Sequence, residues 1–181
     1  MVQLDEFVHQ TNLITSGNDC VRGLRFHCFG QWGSSWETFG GLHGHKYSDL
    51  VIASPGQNVR SITIRAADRV DAVILNVEDR SGQTTMLHHG GKGGAAKTLE
   101  LAEDEHIIGI QAHWGKYYRH TRIMYIEFTT DAGNTISGGS PTSKIGKDSA
   151  PHGYHLGGFA GYSGNELDSV GAIWTSIAPV E

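Results

Sequence analysis

The chain has 181 residues, 25 glycines, 4 prolines, 18% charged residues and a formal charge of -5 at neutral pH. A single domain of that size buries enough apolar surface to fold unaided, and the glycine content points to many tight turns in place of long helices or disorder. No run of Lys or Arg and no basic amphipathic stretch is present, so the electrostatic attraction that nucleic acids and anionic membranes need is missing and neither is an expected partner.

The chain opens with MVQLDEFVHQ, which has no basic n-region and no apolar run and does not read as a secretion signal. No stretch approaches bilayer-spanning length, so the expectation is a soluble, cytoplasmic protein with no membrane insertion. Cys20 and Cys28 are too few for a disulfide scaffold and form no C-x-x-C clip, so they read as buried or half-buried thiols. The 11 histidines show no H-x-x-x-H or H-E-x-x-H spacing, and His88 and His89, adjacent on a strand, point to opposite faces. No metal site and no cofactor are expected.

A repeat of about fifty residues then organises the chain. After a strand-like run NLIT, the first copy reads VRGLRFHCFGQWGSSWETFGG from Val21; after RSITIR, the second reads VDAVILNVEDRSGQTTMLHHGG from Val70; after HIIGIQA, the third reads TRIMYIEFTTDAGNTISGG from Thr121. Their first residues lie 49 and 51 apart, and the glycine pairs Gly40-Gly41, Gly90-Gly91 and Gly138-Gly139 follow at 50 and 48. Each copy alternates with period two, as in Ile123, Tyr125 and Glu127 against Met124, Ile126 and Phe128, and is broken by a turn such as Asp131 to Asn134. These are hairpins. With the run before each, a repeat holds about four strands, and about twelve strands in three sheets around one core follow. LAEDEHII is too short and too close to glycine-rich sequence to be a helix.

The last part of the chain, GGFAGYSGNELDSVGAIW, repeats the run before a hairpin without a full hairpin after it. Val170 to Ile177 needs a partner, and Trp32 to Phe39 is the expected one, which closes the structure by joining its two ends. Residues 1 to 30 then form an amino-terminal extension, and 31 to 181 the domain proper. The displaced strand Val21 to Phe29 keeps an apolar face and is expected to cover a sheet edge of its own domain or of a second subunit in a homodimer.

Within that final run, a turn at Gly164-Asn165-Glu166-Leu167-Asp168 aims backbone N–H groups and a carboxylate at one small volume. A pyranose suits such a volume, because its vicinal hydroxyls donate to a carboxylate and accept from amides. Asp68-Arg69-Val70-Asp71 has the same carboxylate placement and is followed by the glycine loop His89 to Gly94; Phe39 to His45 is a similar loop. Together with LELAEDEHIIGIQAHWG, these motifs make the chain from about Gly40 to Ile177 resemble the jacalin-related lectins.

That resemblance implies an all-β fold, a β-prism of three four-stranded Greek-key sheets with pseudo-threefold symmetry, and sugar sites that each join a G-x-x-x-D loop to a neighbouring glycine loop. Carried over, the first site comprises Gly164, Asn165, Glu166, Leu167 and Asp168 with Gly44. The second comprises Ala67, Asp68, Arg69, Val70 and Asp71 with Gly93 or Gly94. Two positions depart from the family pattern: Ala67 replaces the leading glycine of the second site, and Leu42-His43-Gly44 stands where a second glycine pair belongs. The third repeat, His113 to His120, offers no carboxylate at the expected place, and its Trp114, Tyr117 and Tyr118 serve either packing or a sugar-facing wall. The amino-terminal copy, Gly17 to Arg22, has lost its carboxylate too.

Galactose-preferring members of the family are cleaved to expose a glycine amino terminus at the first site, whereas this glycine loop is internal. The resemblance therefore implies mannose- or glucose-type sugars and glycoproteins carrying them as partners, bound without metal; the acidic residues show no calcium-loop spacing. Two rivals stand beside this reading. Glu166 with Asp168, or Asp68 with Asp71, resembles a glycosidase pair, but carboxylates two apart on one strand cannot straddle a scissile bond within a cleft, so no enzyme is expected. The other rival is a prism whose sugar sites have decayed and which serves structural or protein–protein interaction.

Overall fold

The computed structural model describes residues 24–25 and 38–179. Among them no helix occurs, and thirteen strands form three antiparallel sheets. In the first, β4 (Asn58–Ala66), β5 (Val70–Glu78), β6 (Thr84–Gly90) and β7 (Ala95–Glu100) lie in the order β6-β5-β4-β7. In the second, β8 (Ile107–Tyr117), β9 (His120–Thr130), β10 (Thr135–Gly139) and β11 (Lys144–Ser149) repeat that order as β10-β9-β8-β11. Each is a Greek key, three strands in succession and a fourth returning beside the first.

The third sheet is built from both ends of the chain. Its central hairpin is β12 (Tyr154–Ser163) with β13 (Leu167–Ser176), and β3 (His45–Ser48) lies beside β12. The outer edge of β13 carries two short strands, β2 (Phe39–Gly40) opposite Ser169 and Val170, and β1 (Leu24–Arg25) opposite Trp174 and Thr175. Closure of the prism by pairing its ends is thus observed at Phe39–Gly40. Leu24 and Arg25 take a place further along the same strand of their own prism. The rest of the expected extension, and Trp32 to Glu37, lie outside the described residues.

The strands form where β-branched and aromatic residues alternate with polar ones, and their inner faces meet in one core that includes Ile62, Ile64, Leu75, Ile126, Phe128 and Phe159. Each such side chain contributes about 1.5 to 3 kcal/mol on burial. Sheets are also tied by a polar pin. His89 turns inward and meets both Asp49 carboxylate oxygens at 2.9 and 2.8 Å, while Asp49 accepts the Phe159 N–H at 2.8 Å. His88, its neighbour, is exposed, as opposite faces of a strand require.

Simple alternation fails at two places in each central hairpin, and the β-bulge nearer the turn shifts the phase beside the glycine loops. In β8–β9 the register runs His113 to Tyr125 and then Trp114 to Ile123, so Met124 is the extra residue and Ile123 joins Ile126 and Phe128 on the buried side. The sequence pattern had grouped Ile123 with Tyr125 and Glu127. In β4–β5 the extra residue is Asp71, between the pairs Arg65 to Ala72 and Ala66 to Val70. In β12–β13 it is Asp168, between Tyr162 to Ser169 and Ser163 to Leu167.

The fold also carries an acid-sensitive position. His155 on β12 is 1% exposed, and neither ring nitrogen finds a hydrogen-bond partner among the described residues. Burial, reinforced by nearby His106, lowers its pKa from 6.5 to about 4. The folded state therefore holds it neutral: its contribution to stability is complete above about pH 6.5 and is lost as the pH falls toward 4, a cost of about 3 kcal/mol. Chemical denaturation at pH 7 and pH 4.5 should show a loss for the wild type that is reduced in His155→Phe.

Candidate functional site

The three bulges stand at equivalent places, and the glycine loops prove it. The Gly41 N–H donates to the Asp168 carbonyl at 2.8 Å, the Gly91 N–H to Asp71 at 3.0 Å and the Ser140 N–H to Met124 at 2.8 Å. The third copy of the glycine pair is consequently offset by one: Gly139, not Gly138, matches Gly40 and Gly90. A bulge lets a side chain leave the pleat and aim elsewhere. In two repeats the re-aimed side chain is a carboxylate; in the third it is Met124, which accounts for the missing third carboxylate.

Asp168 and Asp71 meet the same surroundings. Gly44, at φ +79°, packs so that a Cβ there would sit 2.7 Å from Asp168 Oδ2, and Gly94, at φ +63°, stands 2.7 Å from Asp71 Oδ2 by the same measure. Only glycine combines that backbone with that approach. A Cβ on Gly93 would be 2.9 Å from Asp71 Oδ1. The hairpin turns match as well: the Gly164 N–H donates to the Glu166 carbonyl and the Ala67 N–H to the Arg69 carbonyl, both at 3.0 Å.

The residues singled out from the sequence thus gather in two places, but with different exposures. Gly164, Asn165, Ala67 and Asp68 are exposed at the turns, Glu166 and Arg69 are half-buried, and Leu167 and Val70 are buried in the core. Neither Gly164 nor Ala67 has a left-handed backbone. Ala67 therefore stands where glycine is not required by the backbone, and Ala67→Gly relieves no strain.

Sequence reasoning placed Arg69 in the second site but missed Arg122. Arg122, on β9, donates from Nε to Glu166 and from Nη1 to Asp168. Arg69 Nη2 lies 2.5 Å from Glu166 Oε1 and 3.3 Å from Asp71 Oδ1, so Glu166 joins both carboxylate centres. Burial pushes Asp168 up to about 6, against the downward pull of Arg122 and His43. Burial raises Asp71 too, in spite of Arg69. At Glu166 burial acts upward, but the bonds from Arg122 and Arg69 outweigh it and hold the carboxyl low. Arg65 braces the second glycine loop, donating to the carbonyls of Gly93 at 2.9 Å, Lys92 at 2.8 Å and Gly94 at 2.9 Å.

The third hairpin supplies much of this. Tyr118 and Arg119, at φ 43° and 73°, make a tight two-residue turn in place of the longer turns of the other repeats. Tyr117 lies 4.4 Å beneath the Arg69 guanidinium, and His120 stacks on His43 at 3.9 Å. Trp114 instead stacks on Phe39 at 5.9 Å, a packing role, while Tyr118 is 83% exposed. A cleft of about 240 Å³ is lined by no carboxylate, only by Lys97, Tyr125 and Ser137 among apolar and glycine residues.

The chain that builds this prism is matched over residues 36–173 by a family model described as a Jacalin-like lectin domain. The chain belongs to the jacalin-related lectin family. Among solved structures, Malaysian banana lectin superposes with a TM-score of 0.68 at 24% identity, covering 77% of this chain and 95% of that one. A mannose-binding jacalin-related lectin from Ananas comosus gives 0.67 at 21% identity, with 77% and 94% covered. Jacalin-related lectin 40 of Arabidopsis thaliana is 29% identical over 71% of this chain, which spans 29% of that protein. Secreted RxLR effector protein 19 of Plasmopara viticola is 27% identical over 75% of this chain and 77% of its own length. Within the jacalin-related fold, the two bulge aspartates and the arginines bonded to them or to Glu166 distinguish two of this chain's hairpins from the third.

Proposed function

We propose that this jacalin-related chain is a lectin that binds pyranoses of the mannose and glucose type, without metal and without catalysis, at the Asp168 loop and at the Asp71 loop. The observation that carries this is the twofold recurrence of one arrangement, a bulge carboxylate against a positive-φ glycine under a turn that exposes backbone. An arrangement needed only for folding has no reason to keep a buried carboxylate on the bulge, since the third repeat folds with Met124 there. Similarity to a mannose-binding lectin from Ananas comosus supports the sugar class. Glu166 and Asp168 share one guanidinium partner, a positioning suited to binding and unlike two carboxylates placed across a scissile bond. Association into a homodimer, which raises avidity for clustered glycans, belongs to the same proposal.

Calorimetric titration of the full chain with methyl α-mannoside, α-glucoside and α-galactoside tests it. Binding of the first two at near-millimolar Kd, about -4 kcal/mol, is expected. Galactoside binding alone would contradict the sugar class, and silence toward all three would favour a prism serving protein–protein contact.

A further inference from the structure

Arg122 occupies the acceptor that a sugar hydroxyl would need. Its Nη1 donates to Asp168 Oδ1, its Nε donates to Glu166, and Asp168 Oδ2 faces Gly44. A neutral hexose engages Asp168 by pushing the guanidinium aside, which strips a half-buried cation of a charged partner. A hexose bearing its own anion acts differently. Its carboxylate or phosphate accepts from the guanidinium as Asp168 lets go, so the cation exchanges one anion for another and the freed carboxylate takes the sugar's hydroxyls.

The charge around the site favours that exchange. The chain carries -5 overall, yet Arg65, Arg69, Lys92, Lys116, Arg119 and Arg122 crowd the hairpin and glycine-loop end, against Asp68, Asp71, Glu166 and Asp168. Among the described residues no carboxylate pairs with Lys92, Lys116 or Arg119, and Arg65 is spent on backbone carbonyls. His43 and His120 stack on each other beside Arg122's carboxylate partner. An excess of cations on one end of an acidic protein steers anionic ligands there.

We infer that Arg122 is the specificity-determining residue of the Asp168 site and selects an acidic hexose, a uronic acid or a hexose phosphate, over its neutral counterpart. The inference rests on the reading of the Asp168 loop as a sugar site. It predicts a crossover. In low-salt buffer at pH 7 the full-length wild type should bind mannose 6-phosphate or glucuronic acid about tenfold more tightly than methyl α-mannoside, and Arg122→Gln should reverse the order by weakening the acidic sugars and strengthening the neutral one. Added salt should erode the wild-type preference. Unequal responses of uronate and phosphate would tell which anion is preferred. Arg122→Lys, which keeps the charge and loses the fork, guards against a folding defect: it should retain part of the acidic preference. Equal loss of both sugars in Arg122→Gln with an unchanged melting temperature would make Arg122 an ordinary contact and overturn the inference, as would a wild type that prefers the neutral sugar. Asp168→Ala, run in parallel, separates the failures. If it keeps both sugars, the loop is not the site; if it loses both while Arg122→Gln shows no crossover, the site stands and the role given to Arg122 falls.

Discussion

Asp168→Ala should silence sugar binding at the first loop and leave the prism folded. Hydrogen bonds to a charged group contribute about 1.5 to 3 kcal/mol each, and a monosaccharide bound near millimolar has only about 4 kcal/mol in total, so loss of the acceptor moves the Kd beyond titration. The fold should survive the change although Arg122 loses one of its two carboxylate partners, because Glu166 still accepts from its Nε and the structural bond of the bulge runs through the Asp168 backbone carbonyl to Gly41. The same carboxylate sets a pH dependence. Burial raises it to about 6, and only its ionised form accepts two hydroxyl donors, so affinity should be full above that value and fall as the pH drops through it. Affinity of Asp168→Ala matching the wild type, or wild-type affinity unchanged between pH 7.5 and 5, would show that the carboxylate does not hold the ligand.

Gly90→Ala should damage the fold strongly. Gly90 sits at φ +112°, and a Cβ there would collide with the Asp71 carbonyl and the Ala72 Cα. Both obstacles are backbone of the central β5 strand, pinned by the ladders to β4 and β6, and cannot yield as a side chain would. A loss of about 3 kcal/mol or more in denaturant unfolding is expected, with sugar binding at the Asp71 loop lost before binding at the Asp168 loop. Gly164→Ala is the contrast: nothing lies within 4 Å of a Cβ at that turn, so stability should stay within about 0.5 kcal/mol. Equal stability of the two variants would show that the repeated glycines do not enforce the bulges.

Those glycines were the feature most legible in the sequence. Their spacing exposed the repeat, the repeat counted the sheets, and the short alternating runs placed β4, β5, β8 and β9. The pairing of Gly44 with Asp168, and of Gly93 and Gly94 with Asp71, is visible as proximity in the structure. Bulges were not legible, because one extra residue leaves composition unchanged while flipping the phase of the side chains beyond it; hence Ile123 lies on the face opposite to the one its alternation suggested, and Gly139 replaces Gly138 as the match to Gly90. Arg122 was invisible for a different reason. Its partners Glu166 and Asp168 are 44 and 46 residues away, and only the gathering of three hairpins at one end brings them together. A hint was present nonetheless, since Arg69 lies in the turn of its hairpin and Arg122 three residues past the turn of the next.

The most direct test of the account is a crystal structure of the full chain soaked with methyl α-mannoside at high concentration. It predicts a pyranose over the Gly164 to Asp168 turn with two hydroxyls on Asp168 and Arg122 displaced, a second over Ala67 to Asp71, and none at the Met124 bulge. A sugar seated only in the cleft of Lys97, Tyr125 and Ser137, or on the third hairpin with Asp168 still held by Arg122, would contradict it.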